Sequence, residues 1–268
     1  AGIWKRGETW FRVPESIKIT LKGKLNPGVF AKDISLWIIG MIGSAGANYM
    51  SIEYHGEGVK TLSISERMTL ANLASEMGAK NAVFPADEVL ADFYGEKSID
   101  GIKADPDAKY AKEIEINLSE LFPLVAAPHH VDNVKAVSEV EGTPVQQGVI
   151  GTCTNGRLED LHEAVKVLEG KTIADGFQLL VIPASQKIFM QGIEDGTIMK
   201  LIKAGATVLS SSCGPCLGTG QGIPADDFTV ISTANRNFKG RMGNKKAEIY
   251  LASPACVAHT ALNGKITD

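Results

Sequence analysis

Short β-branched runs alternate with helical patterns from one end of this chain to the other, and that alternation leaves few folds open to it. "SIKITLKG" (16–23) alternates apolar and polar residues as a strand does, and "KDISLWIIGMIG" (32–43) then has helical spacing with a Gly stop. "YMSIEYHG" reads as a second strand, "MTLANLASEMGA" (68–79) as a helix and "NAVFPA" as a third strand. Further on, "GTPVQQGVIGTC", "FQLLVIPAS", "ATVLSSSC", "FTVISTAN" and "AEIYLAS" read as strands. "LEDLHEAVKVLEG", "QKIFMQGIEDG", "TIMKLIKAG" and "PACVAHTALNG" between and after them read as helices. The expected fold class is α/β, with two αβα layered domains built on mainly parallel sheets. The polar stretch "GEKSIDGIKADPDAKYAKE" (95–113) has no sustained period and reads as the linker. It divides the chain into an α/β domain over 1–113 carrying Glu53 and another over 114–268.

The polar motifs of the second half follow its strands. Cys153 ends one strand, Cys213 and Cys216 follow another, and Asn235 with Arg236 follows a third. In open parallel sheets the carboxyl ends of the strands form the crevice where ligands bind, so motifs far apart in sequence can meet there.

Cys213-Gly214-Pro215-Cys216 admits three readings: a redox pair, half of a zinc site, or two ligands of an iron–sulfur cluster. A redox pair is normally followed by a helix, and "LGTGQGIPADD" is too rich in Gly and Pro to start a good one. A structural zinc site needs four ligands, yet Cys153 stands alone and no His follows at finger spacing. Three thiolates suit a cluster with one iron left open, where a Lewis acid can meet substrate. Cys256, among Ala and Val in "SPACVAHTA", reads as a small buried hydrophobe. Four cysteines without a dense framework suit a reducing cytosol, and the chain is expected to be cytoplasmic.

"NRNFKGRMG" concentrates Asn235, Arg236, Asn237 and Arg241 in one loop, and the arginine fork matches a carboxylate. Glu53, ending a strand beside Tyr54 and His55, is a candidate general base or an orienter of a histidine. The five histidines are scattered and read as structural or surface residues. The glycine-rich "GSAGA" and "GTGQG" fit neither a P-loop nor a dinucleotide fingerprint. A net charge of -4 gives no general reason to bind nucleic acid or an anionic membrane, and the apolar runs are too short to cross a bilayer. No signal peptide is evident, and without an initiator Met the chain reads as a processed or truncated piece.

Taken together, "GTCTNGRLEDL" around Cys153, "CGPCLG" at 213–218, "NRNFKGRMG" at 235–243 and, more weakly, "EYHG" at 53–56 resemble the aconitase superfamily. The likeness is greatest to the large subunits of 3-isopropylmalate dehydratase and homoaconitase. The resemblance implies that Cys153, Cys213 and Cys216 hold a [4Fe-4S] cluster whose fourth iron binds substrate. It implies that Arg236 and Arg241 hold substrate carboxylates, that Asn235 lies near the cluster, and that Glu53 works with an active-site histidine. The implied reaction is dehydration and rehydration of a hydroxy di- or tricarboxylic acid, with 3-isopropylmalate first and the homoaconitase or aconitase substrate as the alternative. RNA binding by a cluster-free module is a further alternative, which the acidic balance opposes. The implied partners are a small subunit carrying a swivelling domain and an N-terminal domain of the same large subunit. This chain would correspond to the second and third of the family's domains and would be inactive alone.

Overall fold

Two mainly parallel sheets share one buried helix. The computed structural model describes residues 1–101 and 103–268. In chain order the first unit contains α1 (Gly2–Arg6), β1 (Ser16–Lys22), α2 (Ala31–Ile42), β2 (Ser51–His55), α3 (Ile64–Leu73), β3 (Asn81–Val83), α4 (Glu88–Tyr94) and β4 (Lys112–Asn117). The second contains β5 (Leu124–Ala126), β6 (Val134–Ala136), α5 (Val137–Val140), β7 (Gln147–Gly151), α6 (Thr152–Asn155), α7 (Leu158–Leu168), β8 (Gln178–Ile182), α8 (Gln186–Glu194), α9 (Thr197–Lys203), β9 (Thr207–Val208), β10 (Thr229–Ser232), β11 (Glu248–Leu251) and α10 (Pro254–Asn263).

The first sheet has the order β3-β2-β1-β4 and is parallel throughout. Its central strand alternates as its sequence does: Ile17, Ile19 and Leu21 are buried, while Lys18 and Lys22 turn outward to pair with Glu113 and Glu115. The apolar side packs with Ile34, Ile38 and Ile39 of α2 and Leu70 of α3. The outward side is polar, so the layering here is less symmetrical than the expected αβα sandwich.

The second sheet has the order β6-β5-β11-β10-β7-β8-β9, parallel from β11 to β9, with the antiparallel β5–β6 pair at one edge. One face packs on Leu161 and Leu168 of α7, Leu201 of α9 and Val257 of α10. Across the other lie Leu36 and Trp37 of α2 and Met242 of the arginine loop. Helix α2 thus serves both cores, which is why its sequence is apolar nearly all round.

The expected boundary at 113/114 falls inside β4, whose Ile114 and Ile116 pair with β1. "KEIEIN" has the strict alternation of a strand and belongs to the first sheet. The change of sheet comes between Asn117 and Leu124. The polar stretch 95–113 is therefore, among the described residues, mostly the connection from α4 into β4, within the first unit.

Arg67 of α3 shows how the first unit is tied together. Its guanidinium, 4% exposed, donates to both carboxylate oxygens of Asp87 at 2.8 and 2.7 Å and to the carbonyls of Leu62 and Val59. Asp87 also caps α4 by accepting from the Leu90 amide. Arg67→Met strands that carboxylate in the interior and is expected to cost about 3–5 kcal/mol. Urea unfolding measures it; a loss below about 1 kcal/mol, the worth of a surface pair, would contradict the burial argument.

Candidate active site

The order of the second sheet creates the site. From β7 the chain moves outward to β8 and β9, then returns to place β10 on the other side of β7. The crevice between oppositely directed connections lies at the carboxyl ends of β7 and β10, where Cys153 and Asn235 leave the sheet. The Thr233 hydroxyl accepts from the Gly151 amide at 2.9 Å, and the Thr233 amide donates to the Val149 carbonyl, locking the two strand ends together.

The turn after β7 is tightly constrained. Gly151 has φ 125°, and a Cβ there would collide with the Ile182 carbonyl, so no larger residue fits. Thr152 follows with φ 64°, a conformation that a β-branched residue holds only under strain, about 1–3 kcal/mol. That turn sends Cys153 to the surface while Thr152, Thr154 and Asn155 are buried. Arg157 fixes the loop by donating to the Thr154 carbonyl at 2.5 Å.

From the first unit, α3 and the turn after it reach the same place. Asn72 accepts a short hydrogen bond from the Asn235 amide, and the Thr154 hydroxyl donates to the Asn235 side-chain oxygen. One helical turn further on, Glu76 receives Arg236 Nε at 2.8 and 2.9 Å from its two oxygens. The Glu76 side chain is 8% exposed and that of Arg236 44%, so the pair joins a buried carboxylate to a guanidinium that still meets solvent. Beside them, Ser44, His129, His130, Arg236 and Phe238 line a cavity of about 300 Å³. A larger cleft of about 850 Å³ lies between the units along Ser63, Glu66 and Glu159, and Cys153, Cys213 and Cys216 do not line it.

The thiol loop meets the arginine loop through glycines. A Cβ on Gly243 would stand 2.7 Å from the Gly218 carbonyl oxygen, so Gly243 must lack one for the backbones to touch. Across that contact Arg241 Nη2 lies 3.7 Å from Cys216 Sγ. Cys213 and Cys216 occupy one tight turn, Cys216 N donating to the Cys213 carbonyl at 3.0 Å.

All four thiols are free, and among the described residues no three His, Cys, Asp or Glu stand together as a site for a single metal ion. Cys153 follows β7 and the thiol pair follows β9, with β8 between, so their strand ends are about 10 Å apart. Three free thiols are the donor set that an iron–sulfur group takes, and among the described residues they do not close around one. Cys256 is 3% exposed in α10, and burial pushes its thiol well above the usual range.

The structure therefore gathers the motifs of Cys153, Asn235 and Arg236 around one crevice, and joins Cys216 to Arg241 beside it. Glu53 is not among them. It alternates with Ile52 and Tyr54, which face the core under α3, and so points to the opposite, polar side of the first sheet. There it accepts from Tyr110 OH at 3.1 Å and pairs with His55 at 3.5 Å. The carboxylate found at the crevice is Glu76. Its signal lay in "NLASEMG", where Asn72 and Glu76 share one helix face, but a lone Asn and Glu on a helix are ordinary surface residues. The histidines read as structural or surface residues include two, His129 and His130, that line the cavity beside Arg236.

Comparison with known proteins bears on this arrangement. The model of the aconitase family (aconitate hydratase) matches residues 2–143 and 135–264. A 3-isopropylmalate dehydratase large subunit 2 of Archaeoglobus fulgidus is 50% identical over 98% of this chain and 64% of its own length. A probable methanogen homoaconitase large subunit of Methanosarcina mazei is 49% identical over the whole chain and 68% of its own length. A 3-isopropylmalate dehydratase large subunit 1 of Thermotoga maritima is 49% identical, with 99% of this chain and 65% of its own covered. The chain thus spans about two thirds of the relatives it matches. Among the described residues no helix is long and apolar enough to cross a membrane. With the crevice, the three free thiols and the arginine loop in place, these matches establish that the chain belongs to the aconitase family.

Proposed function

We propose that this chain is the cluster-bearing part of a hydro-lyase that isomerises a hydroxy di- or tricarboxylic acid by dehydration and rehydration. The observation that carries the reading is the Arg236–Glu76 pair at the mouth of a small cavity, beside the loop of Cys153. The names of the relatives support it, and those names put 3-isopropylmalate first as substrate, with homoaconitate second.

Cys153, Cys213 and Cys216 would hold a [4Fe-4S] cluster. When bound, such a cluster supplies a Lewis acid that draws electrons from the substrate hydroxyl as it leaves. Arg236 and Arg241 bind and orient the substrate carboxylates, and a carboxylate entering the cavity meets a fork of donors already held in place by Glu76. Glu76, rather than Glu53, takes the part of the carboxylate that holds or moves a proton at the hydroxyl. Asn72, Asn235 and Thr154 fix one another and define the wall of the crevice.

The base that acts on carbon is assigned to the swivelling domain of a small subunit, since the relatives are named as large subunits. This chain alone is accordingly expected to be inactive, and the assembled protein active. Assay of both with 3-isopropylmalate, the homoaconitase substrate and citrate, following the unsaturated intermediate, tests this. Preferred turnover of 3-isopropylmalate by the assembly supports the reading; no turnover of any hydroxy acid by a four-iron assembly contradicts it.

A further inference from the structure

Lys32 is fully buried in the first turn of α2, yet its ammonium reaches out of the first unit altogether. Nζ donates to the Thr233 carbonyl at 2.9 Å and to the Ala234 carbonyl at 2.7 Å. These are the last two carbonyls before Asn235 and Arg236. Thr233 is also the residue whose hydroxyl clasps Gly151, where the Cys153 turn begins. A single side chain of the first unit thus holds the point from which two motifs of the second unit depart.

A lysine is a costly choice for such a place. Burial opposes the charge and lowers its pKa to about 8, while Cys216, Asp160, Glu76 and Asp33 pull it back upward. Those four come from the thiol loop, α7, the turn after α3 and α2 itself, so the ammonium has acidic side chains of both units around it. If cohesion of α2 with the second sheet were all that mattered, Leu36 and Trp37 already provide it, and a buried ionic contact is seldom worth more than apolar packing of the same volume. What the ammonium adds is direction: two carbonyl acceptors at fixed angles, which no apolar residue specifies.

We propose that Lys32 is a positioning residue of the site, fixing the peptides from which Asn235 and Arg236 leave β10 and so setting the carboxylate-binding arginine from across the interface between the units. The proposal rests on the hydro-lyase reading for its kinetic consequence, but its structural consequence stands apart from any activity.

The test uses Lys32→Met, of similar length and uncharged, and Lys32→Arg, which keeps the charge. Amide hydrogen exchange across residues 233–241 is measured on this chain as it stands, and KM and kcat on the assembled enzyme. Lys32→Met is expected to speed exchange in 233–241 by about tenfold or more and to raise KM by about tenfold with a smaller change in kcat, as misplacement of a binding group does. Lys32→Arg is expected to recover part of both. Unchanged exchange and KM in Lys32→Met would overturn the proposal, as would equal global unfolding of both variants, which would make Lys32 a packing residue. Should the assembled wild type turn over no hydroxy acid, the hydro-lyase reading fails, and the exchange data alone decide on Lys32.

Discussion

Replacing Cys153, Cys213 or Cys216 by Ser is expected to abolish assembly of a four-iron cluster, whereas Cys256→Ser leaves it intact. The four thiols share one composition class but not one environment. Cys153 and Cys213 are exposed and Cys216 half-buried, on turns at the carboxyl ends of β7 and β9. A thiolate is the ligand form, and a thiol at a solvent-reaching crevice can lose its proton as iron binds. Cys256 lies inside α10, its thiol held protonated by burial and within 3.6 Å of the Thr267 carbonyl. It acts there as a small apolar side chain, and Ser in its place costs stability without touching iron. Iron and sulfide content of the four reconstituted variants distinguishes the cases. Equal loss at Cys256 would break the ligand assignment.

The second large effect is expected at Glu76. Glu76→Gln keeps the volume and one acceptor oxygen for Arg236, so the fold and the interface between the units persist. What is lost is the carboxylate charge, and with it the capacity to hold or take a proton, a change worth about 10²–10⁴ in rate for a general acid or base. Glu53→Gln, on the polar side of the first sheet with Tyr110 and His55, is expected to change kcat by less than about threefold if it stands outside acid–base catalysis. Steady-state kinetics of the two variants in the assembled enzyme checks both statements. A large loss in Glu53→Gln with near-normal Glu76→Gln would restore the assignment suggested by "EYHG" and overturn the one drawn from the crevice.

The contrast between these two carboxylates shows what a sequence of this kind discloses. The strand at 51–55 was legible from its alternation, and Glu53 stood out because it neighbours other ionisable groups. Alternation also says that Glu53 and Tyr54 face opposite ways, but not which face looks toward the second unit. That depends on where α2 and α3 pack, which is a tertiary fact. Glu76 was hidden for the opposite reason: it follows a helix pattern in which an acidic residue is unremarkable. Only the approach of α3 to β10 makes it a partner of Arg236.

The same distinction runs through the fold. The apolar runs of β8 and α2 are plain in the sequence, and the polar motifs that follow strands leave the sheet at the carboxyl ends of β7 and β10. The boundary at 113/114 cuts β4 two residues into the strand because "KEIEIN" carries three charges in six residues, although its two Ile residues alternate toward the core. The β5–β6 pair is not legible in the sequence because three-residue strands on either side of "APHHVDN" leave too short a pattern to count. Lys32 was invisible for a different reason. A lysine at a helix start is ordinarily solvated, and nothing local says that Thr233 and Ala234, two hundred residues on, will close over it.

The most direct test of the central claim is anaerobic reconstitution of this chain with iron and sulfide, followed by metal analysis and by electron paramagnetic resonance before and after mild oxidation. The expected product is a brown protein with a four-iron cluster that loses its open iron to give a three-iron signal, and regains it with iron and reductant. A protein that takes up zinc at the three cysteines in preference to iron, or whose four-iron cluster cannot be converted to the three-iron form, would contradict the claim.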